Sequence, residues 1–299
     1  MIREAIAALV AGNNLTQEVA AQVMDEMMEG QATSSQIAAF ITALRMKGET
    51  ADEITGMART MRARSLHVQT DGFLVDTCGT GGDGRGTINV STAAAIVAAA
   101  AGLRVAKHGN RSASGGPGSA DVLEAVGVKI ALSPEGVQQC LAETGFGFIA
   151  QVLGVSDPSV GEKMAEALGR PGTPRAMVAY GMDGVDELSI SAQTRVWDLQ
   201  GGRVRTYQLA PEDAGLSRAN TDDIKGGTVE RNAELLRGIL RGQPGPSLDV
   251  VLLNTAAALV VGGKARTLKE GVEMARSTVQ SGAAAAKLEQ VVKVSQGLN

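Results

Sequence analysis

Apolar residues recur at helical spacing through the first 65 positions. Ile37, Phe40, Ile41 and Leu44 form one such stripe, because positions three and four apart share a helix face. Punctuation divides this stretch into four short helices. Asn13-Asn14 closes the first, Thr16 can cap the second, Gly30 ends it, and "TSSQIAAFITALRMKG" is the third. The fourth, "TADEITGMARTMRARS", opens on a capping box from Thr50 to Glu53, which satisfies two helix-end donors reciprocally. Met24, Met27 and Met28 are expected to pack in the core of these helices.

From Phe73 the period changes. "FLVDTC" predicts a short buried strand, then a glycine loop, then an Ala-rich helix from Ser91 to Ala101. "LRVAKHG" predicts a second strand, and alternation continues through "SPEGVQQCLAETG", "FGFIA", "PSVGEKMAEALG" and "RAMVAYG". Strands alternating with helices of this length indicate a mostly parallel sheet with both faces covered. "TRVWDLQGGRVRTYQL" alternates with period two around Gly201-Gly202 and predicts a hairpin. Helices are expected at 228–240, 247–261 and 267–281. The fold class is therefore α/β. Residues 1–70 are expected as a small N-terminal helical domain, and 71–299 as a larger domain whose mostly parallel central sheet is flanked by helices.

Composition agrees with this reading. Of 299 residues 44% are hydrophobic but only 2% aromatic, so the core is built from Ala, Val, Leu, Ile and Met, which suits helices packed on a sheet. Two cysteines, Cys78 and Cys140, are too few for a disulfide framework, and neither has a second Cys or a His at ligand spacing in the chain. Both are expected as reduced core residues. The net charge of −4 supplies no basic field for nucleic acid or an anionic membrane. No segment reaches the roughly eighteen uninterrupted apolar residues of a membrane span, and "MIREAIAALVAGN" carries no cleavable signal pattern. A cytoplasmic protein is expected.

The stretch "DTCGTGGDGRGTINVST", Asp76 to Thr92, carries the chemistry. Gly79, Gly81 and Gly84 satisfy G-x-G-x-x-G between a strand and a helix, the setting of a dinucleotide fingerprint. That fingerprint needs an acid at the end of the next strand for the ribose hydroxyls. Lys107 and His108 stand there instead, and a cation cannot accept from a diol. No Gly-Lys-Ser/Thr closes a triphosphate loop either. What remains is another phosphate-rich ligand. Bare backbone N–H groups and the helix start at Ser91 form an anion nest, Asn89, Ser91 and Thr92 add short polar groups, and Lys107 adds a charge. Asp83 within the loop implies sugar hydroxyls or a metal.

Two further clusters join it. "KHGNRSASGGPGSAD" supplies Lys107, His108, Asn110, Arg111, Ser112 and Ser114 and closes on Ser119, although Arg111 alone could simply pair with an acid. "MDGVDELSIS" supplies the adjacent carboxylates Asp186 and Glu187. Mg²⁺ takes one or two carboxylates together with substrate phosphates. Asp222-Asp223 is a competing pair of second rank.

Taken together, "DTCGTGGDG", the set Thr87, Asn89, Ser91 and Thr92, "AKHGNRS" and "DGVDELS" resemble, in order, the motifs of the anthranilate phosphoribosyltransferase family of tryptophan biosynthesis. The likeness extends over nearly the whole chain. It implies transfer of a 5-phosphoribosyl group from phosphoribosyl pyrophosphate to anthranilate, with Mg²⁺. It implies phosphoribosyl-pyrophosphate contacts from Gly79, Gly82, Asp83, Thr87, Asn89, Ser91, Thr92, Lys107 and Ser119. It implies Mg²⁺ positions at Ser91, Asp186 and Glu187, anthranilate contacts at Gly79 and Asn110, and a homodimer formed through the N-terminal helices.

Two departures stand out. "SASGGPGS" lacks the lysine usual in the family's version of this turn. At Ala150-Gln151 the chain also lacks a helical segment that the family places between the strands matching "GFGFIA" and "QVLGV". That segment carries a "HPAM"-like stretch, an arginine for the anthranilate carboxylate and an "FN-LGPL-NP" stretch. Without it, retained phosphoribosyl-pyrophosphate binding with poor use of anthranilate is expected. The alternatives are a phosphoribosyltransferase or phosphorylase acting on another acceptor, and a non-catalytic relative that binds nucleic acid. The −4 charge and the Asp186-Glu187 pair oppose the last.

Overall fold

The computed structural model describes residues 1–65, 68, 70, 72–79, 84–109, 111, 117–149, 158–159, 161–170 and 173–298. In chain order the elements are α1 Ile2–Val10, α2 Gln17–Met28, α3 Ser34–Lys47, α4 Ala51–Arg64, α5 Val90–Ala100, β1 Val105–His108, α6 Ser119–Ala125, α7 Pro134–Thr144, β2 Phe146–Ile149, α8 Gly161–Gly169, β3 Arg175–Gly181, β4 Thr194–Gln200, β5 Arg203–Leu209, α9 Val229–Leu240, α10 Pro246–Val261, α11 Leu268–Gln280 and α12 Ala283–Gln296. They divide between two compact units. One holds residues 1–67, 157–178 and 197–206, and the other holds 68–156, 179–196 and 207–299.

In the first unit, α1 to α4 bury Ile2, Leu9, Val23, Phe40 and Leu44 as one core. The caps are those the residues announce. Thr16 accepts from the Val19 N–H, and Thr33–Gln36 and Thr50–Glu53 both form complete capping boxes. The methionine cluster is only partly core: Met27 packs against it, whereas Met28 lies on the surface. Glu53 is fully buried and accepts from Leu15 N at 2.8 Å, Thr50 N at 2.8 Å and Lys47 Nζ at 3.0 Å. Helix α8 packs on α4, and a Cβ at Gly161 would strike the Trp197 ring.

In the second unit, α5 is buried along nearly its whole length, and its alanines let α10 approach closely. Helix α10 is buried on all sides, consistent with its near-continuous apolar sequence. Strand β1 pairs with β2 in parallel, Val105 opposite Phe146 and His108 opposite Ile149. The expected strand "FLVDTC" shrinks to one parallel bridge, Val75 to Val105. The ladder stops because the His108 N–H donates to Asp76 Oδ1 at 2.9 Å, a side chain taking the place of backbone. Phe73, expected inside, is 47% exposed.

Strands β3, β4 and β5 form a second sheet in that order. Gly201 N bonds to Pro174 O and Met182 N to Gln193 O, so β3 and β4 run antiparallel. Gly201 and Gly202, at φ 56° and 77°, form the hairpin turn, a conformation that glycine adopts without strain. The C-terminal helices fall where expected, and α12 follows them. Among the described residues no helix is long and apolar enough to cross a membrane.

Candidate active site

The site lies in the second unit, where the ends of β1 and the Val75 bridge meet the start of α5. Thr77 Oγ1 donates to the Ser91 carbonyl at 2.9 Å, tying the approach to the glycine loop to the first turn of the helix. Gly79 runs against Asp186 so closely that a Cβ there would overlap the carboxylate. Only a bare backbone fits, which answers why glycine stands at this position. Residues 86–88 are laid beside 224–226: Thr87 bridges Lys225, and Ile88 N donates to Ile224 O at 3.0 Å.

Glu187 reaches the same helix end. Its Oε1 accepts from the Ser91 N–H at 3.1 Å, where the exposed N–H groups and the helix dipole favour negative charge. Ser91 and Glu187, nearly a hundred residues apart in the chain, thus meet at the start of the helix, while Asp186 lies against Gly79. The loop that carries the two acids is held from beneath. Leu188 N donates to Asn254 Oδ1, and Asn254 Nδ2 donates to Leu188 O, both at 3.0 Å. Asp183 Oδ2 accepts from Ser189 Oγ at 2.8 Å, from Ser191 Oγ and from Thr221 Oγ1 at 3.4 Å.

Lys107 is almost completely buried, and its Nζ donates to the His108 carbonyl. Burial pushes its ammonium below the ordinary 10.5, against the opposing pull of Asp76, Cys78, Glu187 and Asp186. Burial likewise pushes the His108 imidazole below 6.5; Asp76 works against this and Lys107 reinforces it.

The remaining expected residues divide. Thr92 is fully buried, and its hydroxyl has no hydrogen-bond partner among the described residues. Asn89 stands at the N-cap of α5, but its amide donates to Pro117 O at 3.0 Å and accepts from Asn232 at 2.8 Å. It therefore joins the two glycine-rich loops, with one of its two amide N–H donors committed to Pro117. Ser119 opens α6, and Gly109 approaches it so tightly that a Cβ would collide with its Oγ. Gly82, Asp83 and Asn110, with Ser112 and Ser114, lie outside the described residues. Arg111 is spent on Glu124, through a two-pronged contact at 2.7 and 2.8 Å, and on Asp121 at 3.1 Å. The second-ranked acids are structural: Asp222 pairs with Lys225 at 2.8 Å on the surface, and Asp223 caps a short 3-10 turn through Asn220 N at 3.0 Å.

One expectation fails. Cys140 is a buried core residue, but Cys78 is only half-buried. Its sulfur shares a small volume with Asp76 and His108, ligand atoms all within 4.8 Å of one another. Linear spacing cannot show this, because a parallel pairing brings residues thirty positions apart side by side. Asn254, Thr77 and the Asp183 network were also missed. Asn254 alone carried a signal, as a polar residue inside the apolar run "VLLNTAAALVV".

Comparison with known proteins fits this architecture. The family model described as "Glycosyl transferase family, helical bundle domain" matches residues 3–65. The "Glycosyl transferase family, a/b domain" model matches 71–152 and 149–285. Helical bundle and α/β domain in this order define a glycosyl transferase. Full-length relatives narrow the class. An anthranilate phosphoribosyltransferase of Moorella thermoacetica is 46% identical over 98% of each chain, and one from Chloroflexus aurantiacus is 48% identical over 99% of each. The crystal structure of the Thermus thermophilus enzyme superimposes with a TM-score of 0.89 at 39% identity, over 98% of this chain and 99% of that one. The chain belongs to the anthranilate phosphoribosyltransferase family. A Saccharomyces cerevisiae anthranilate phosphoribosyltransferase in complex with PRPP and Mg shares the fold, with a TM-score of 0.86 at 23% identity over 99% of this chain and 98% of that one. The α/β match breaks into two pieces that overlap at 149–152, where the internal segment is missing. The alignments with the two bacterial relatives extend over 331 and 336 positions, more than the 299 residues present, so those proteins carry residues without a counterpart here.

Proposed function

We propose that this protein transfers the 5-phosphoribosyl group of phosphoribosyl pyrophosphate to the amine of anthranilate, yielding N-(5-phosphoribosyl)anthranilate and pyrophosphate in tryptophan biosynthesis. The observation that carries the reading is the contact of Glu187 with the Ser91 N–H at the start of α5, with Asp186 against bare Gly79 and both acids acting on buried Lys107. The high identity to named enzymes over whole chains supports it.

Ser91, Asp186 and Glu187 would hold Mg²⁺. The fit rests on their side-chain donors, which are all oxygen, as a hard cation prefers, and on the contact of Glu187 with the Ser91 backbone N–H. When bound, Mg²⁺ offsets the negative charge of the pyrophosphate. Gly79, with Gly82, lets the loop backbone come close to phosphate and ribose, and Asp83 accepts from ribose hydroxyls. Thr87, Asn89, Thr92 and Ser119 border the same space. The unpartnered Thr92 hydroxyl is suited to a ligand oxygen. As the bond from ribose C1 to pyrophosphate breaks, positive charge grows on the sugar and negative charge on the leaving group. Lys107 and the N–H groups of α5 stabilise the latter, and Asn110 with Gly79 aligns the acceptor amine. Rate then comes from alignment and fixed charge, with no strong base required.

A second reading concerns the acceptor. The residues that the bacterial relatives carry and this chain lacks support a site that keeps phosphoribosyl pyrophosphate but uses anthranilate poorly. We also place the protein in the cytoplasm as a homodimer. Val10, Ile41 and Met46, exposed on the helical unit, are the apolar groups such an interface would cover.

Loss of anthranilate fluorescence with phosphoribosyl pyrophosphate and Mg²⁺ tests both readings. The wild type should consume anthranilate. Asp186→Asn combined with Glu187→Gln should lower turnover by roughly 10²-fold or more, and unchanged Mg²⁺-dependent turnover would refute the metal assignment. A wild type that binds phosphoribosyl pyrophosphate but leaves anthranilate untouched would favour the second reading.

A further inference from the structure

Beside the oxygen-rich corner lies a set of donors of different chemistry. Cys78 Sγ, a His108 ring nitrogen and an Asp76 carboxylate oxygen lie within 4.8 Å of one another. The triad is anchored at its root. Asp76 Oδ1 is held by the His108 N–H at 2.9 Å, which leaves Oδ2 facing His108 Nδ1 at 3.9 Å. His108 is fixed at the end of β1 by its pairing with β2. Burial grades from His108 inside, through half-buried Cys78, to exposed Asp76, so the cluster opens to solvent on the carboxylate side.

We propose that Asp76, Cys78 and His108 form a binding site for a thiophilic divalent cation of the zinc class, separate in its ligands from the Ser91–Asp186–Glu187 corner. Sulfur, nitrogen and one carboxylate are the ligands that zinc and its neighbours select, whereas Mg²⁺ selects oxygen. Tetrahedral zinc, with bonds of about 2.0–2.3 Å, holds its ligands roughly 3.3–3.6 Å apart. The 3.9 Å between Asp76 and His108 is close to that, and the Cys78 sulfur needs only a modest movement of a chain whose neighbour Gly79 carries no side chain. Three protein ligands leave a fourth position for water. Binding displaces the thiol proton of Cys78 to solvent and forms one metal–sulfur bond. Occupancy would clamp the roots of both glycine-rich loops together, since Cys78 leads into one and His108 into the other. The site follows from the triad's geometry and does not depend on the transferase reading.

Cobalt alone, added to the full-length protein, is the probe. A thiolate-to-cobalt charge-transfer band should appear at one ion per chain, persist in Cys140→Ser and vanish in Cys78→Ser. His108→Gln and Asp76→Asn should each weaken cobalt binding by about 10-fold or more, a loss that even outer-shell changes can produce. Excess Mg²⁺ should leave the band unchanged. No band, a band that survives Cys78→Ser, or one that Mg²⁺ abolishes would overturn the site. Circular dichroism establishes that each variant is folded. Should Cys78→Ser fail that check, unaltered cobalt affinity in folded His108→Gln would overturn the proposal equally.

Discussion

Each unit buries an ionisable side chain, and the two do it differently. In the helical unit, Glu53 is fully enclosed and takes donors from Leu15, Thr50 and Lys47, three elements of the chain meeting on one carboxylate. In the α/β unit, buried Lys107 meets the carbonyl of its own neighbour, and Asp76, Glu187 and Asp186 act on it through space. Thr92 buries a hydroxyl that has no partner among the described residues. A buried charge whose hydrogen bonds are complete holds elements in register. One left incomplete destabilises the empty protein and suits a ligand that completes it. The first arrangement belongs to architecture and the second to binding.

Substitution should separate the two. The largest effect is expected for Glu53→Ala, which strands Lys47 and two backbone donors. Stability should fall by about 3 kcal/mol or more, read from the urea midpoint. The opposite sign is expected at the site. Lys107→Met keeps the length and apolar stem while removing a desolvated amine. The unliganded protein should be as stable as wild type or gain about 1–2 kcal/mol, while affinity for phosphoribosyl pyrophosphate drops. Destabilisation on the scale of Glu53→Ala would erase the contrast. The smallest effect is an acid response. Burial pushes the Glu53 carboxyl up, but hydrogen bonds from Leu15, Lys47 and Thr50 outweigh it and hold the folded value below the ordinary 4.5. A depressed folded pKa means stability fully present above 4.5 and lost as pH falls through the lower, folded value. The stability gap between wild type and Glu53→Gln should therefore narrow as pH falls below 4.5. A gap that is flat across that range would remove Glu53 from the acid response.

The elements were legible where local rules operate. Thr16, the Thr50–Glu53 box and Gly201-Gly202 mark boundaries through short-range hydrogen bonds and backbone freedom, and all three stand where expected. The strand through "FLVDTC" was not legible, because one side chain, Asp76, takes the bond that would have extended the ladder. Asp222-Asp223 ranks second to Asp186-Glu187 in the sequence, and the family resemblance favours the same pair. The structure distinguishes them physically: one pair faces a helix N-terminus, and the other caps a turn and pairs with Lys225.

By itself, the sequence determined the helical caps, the period change at Phe73 and the glycine loop, along with the exclusion of dinucleotide and triphosphate by Lys107 and by the lack of Gly-Lys-Ser/Thr. The caps and the glycine loop depend on residues within a turn or two of one another, and the exclusions on which residue types stand at the loop and at the end of the next strand. Only the tertiary structure decided that Arg111 is bound to Glu124, that Asn89 bridges two loops, and that Cys78 and His108 share a space. The reason is distance along the chain. Sheet pairing and helix packing bring together groups tens of residues apart, and no local pattern records which of several polar side chains will meet.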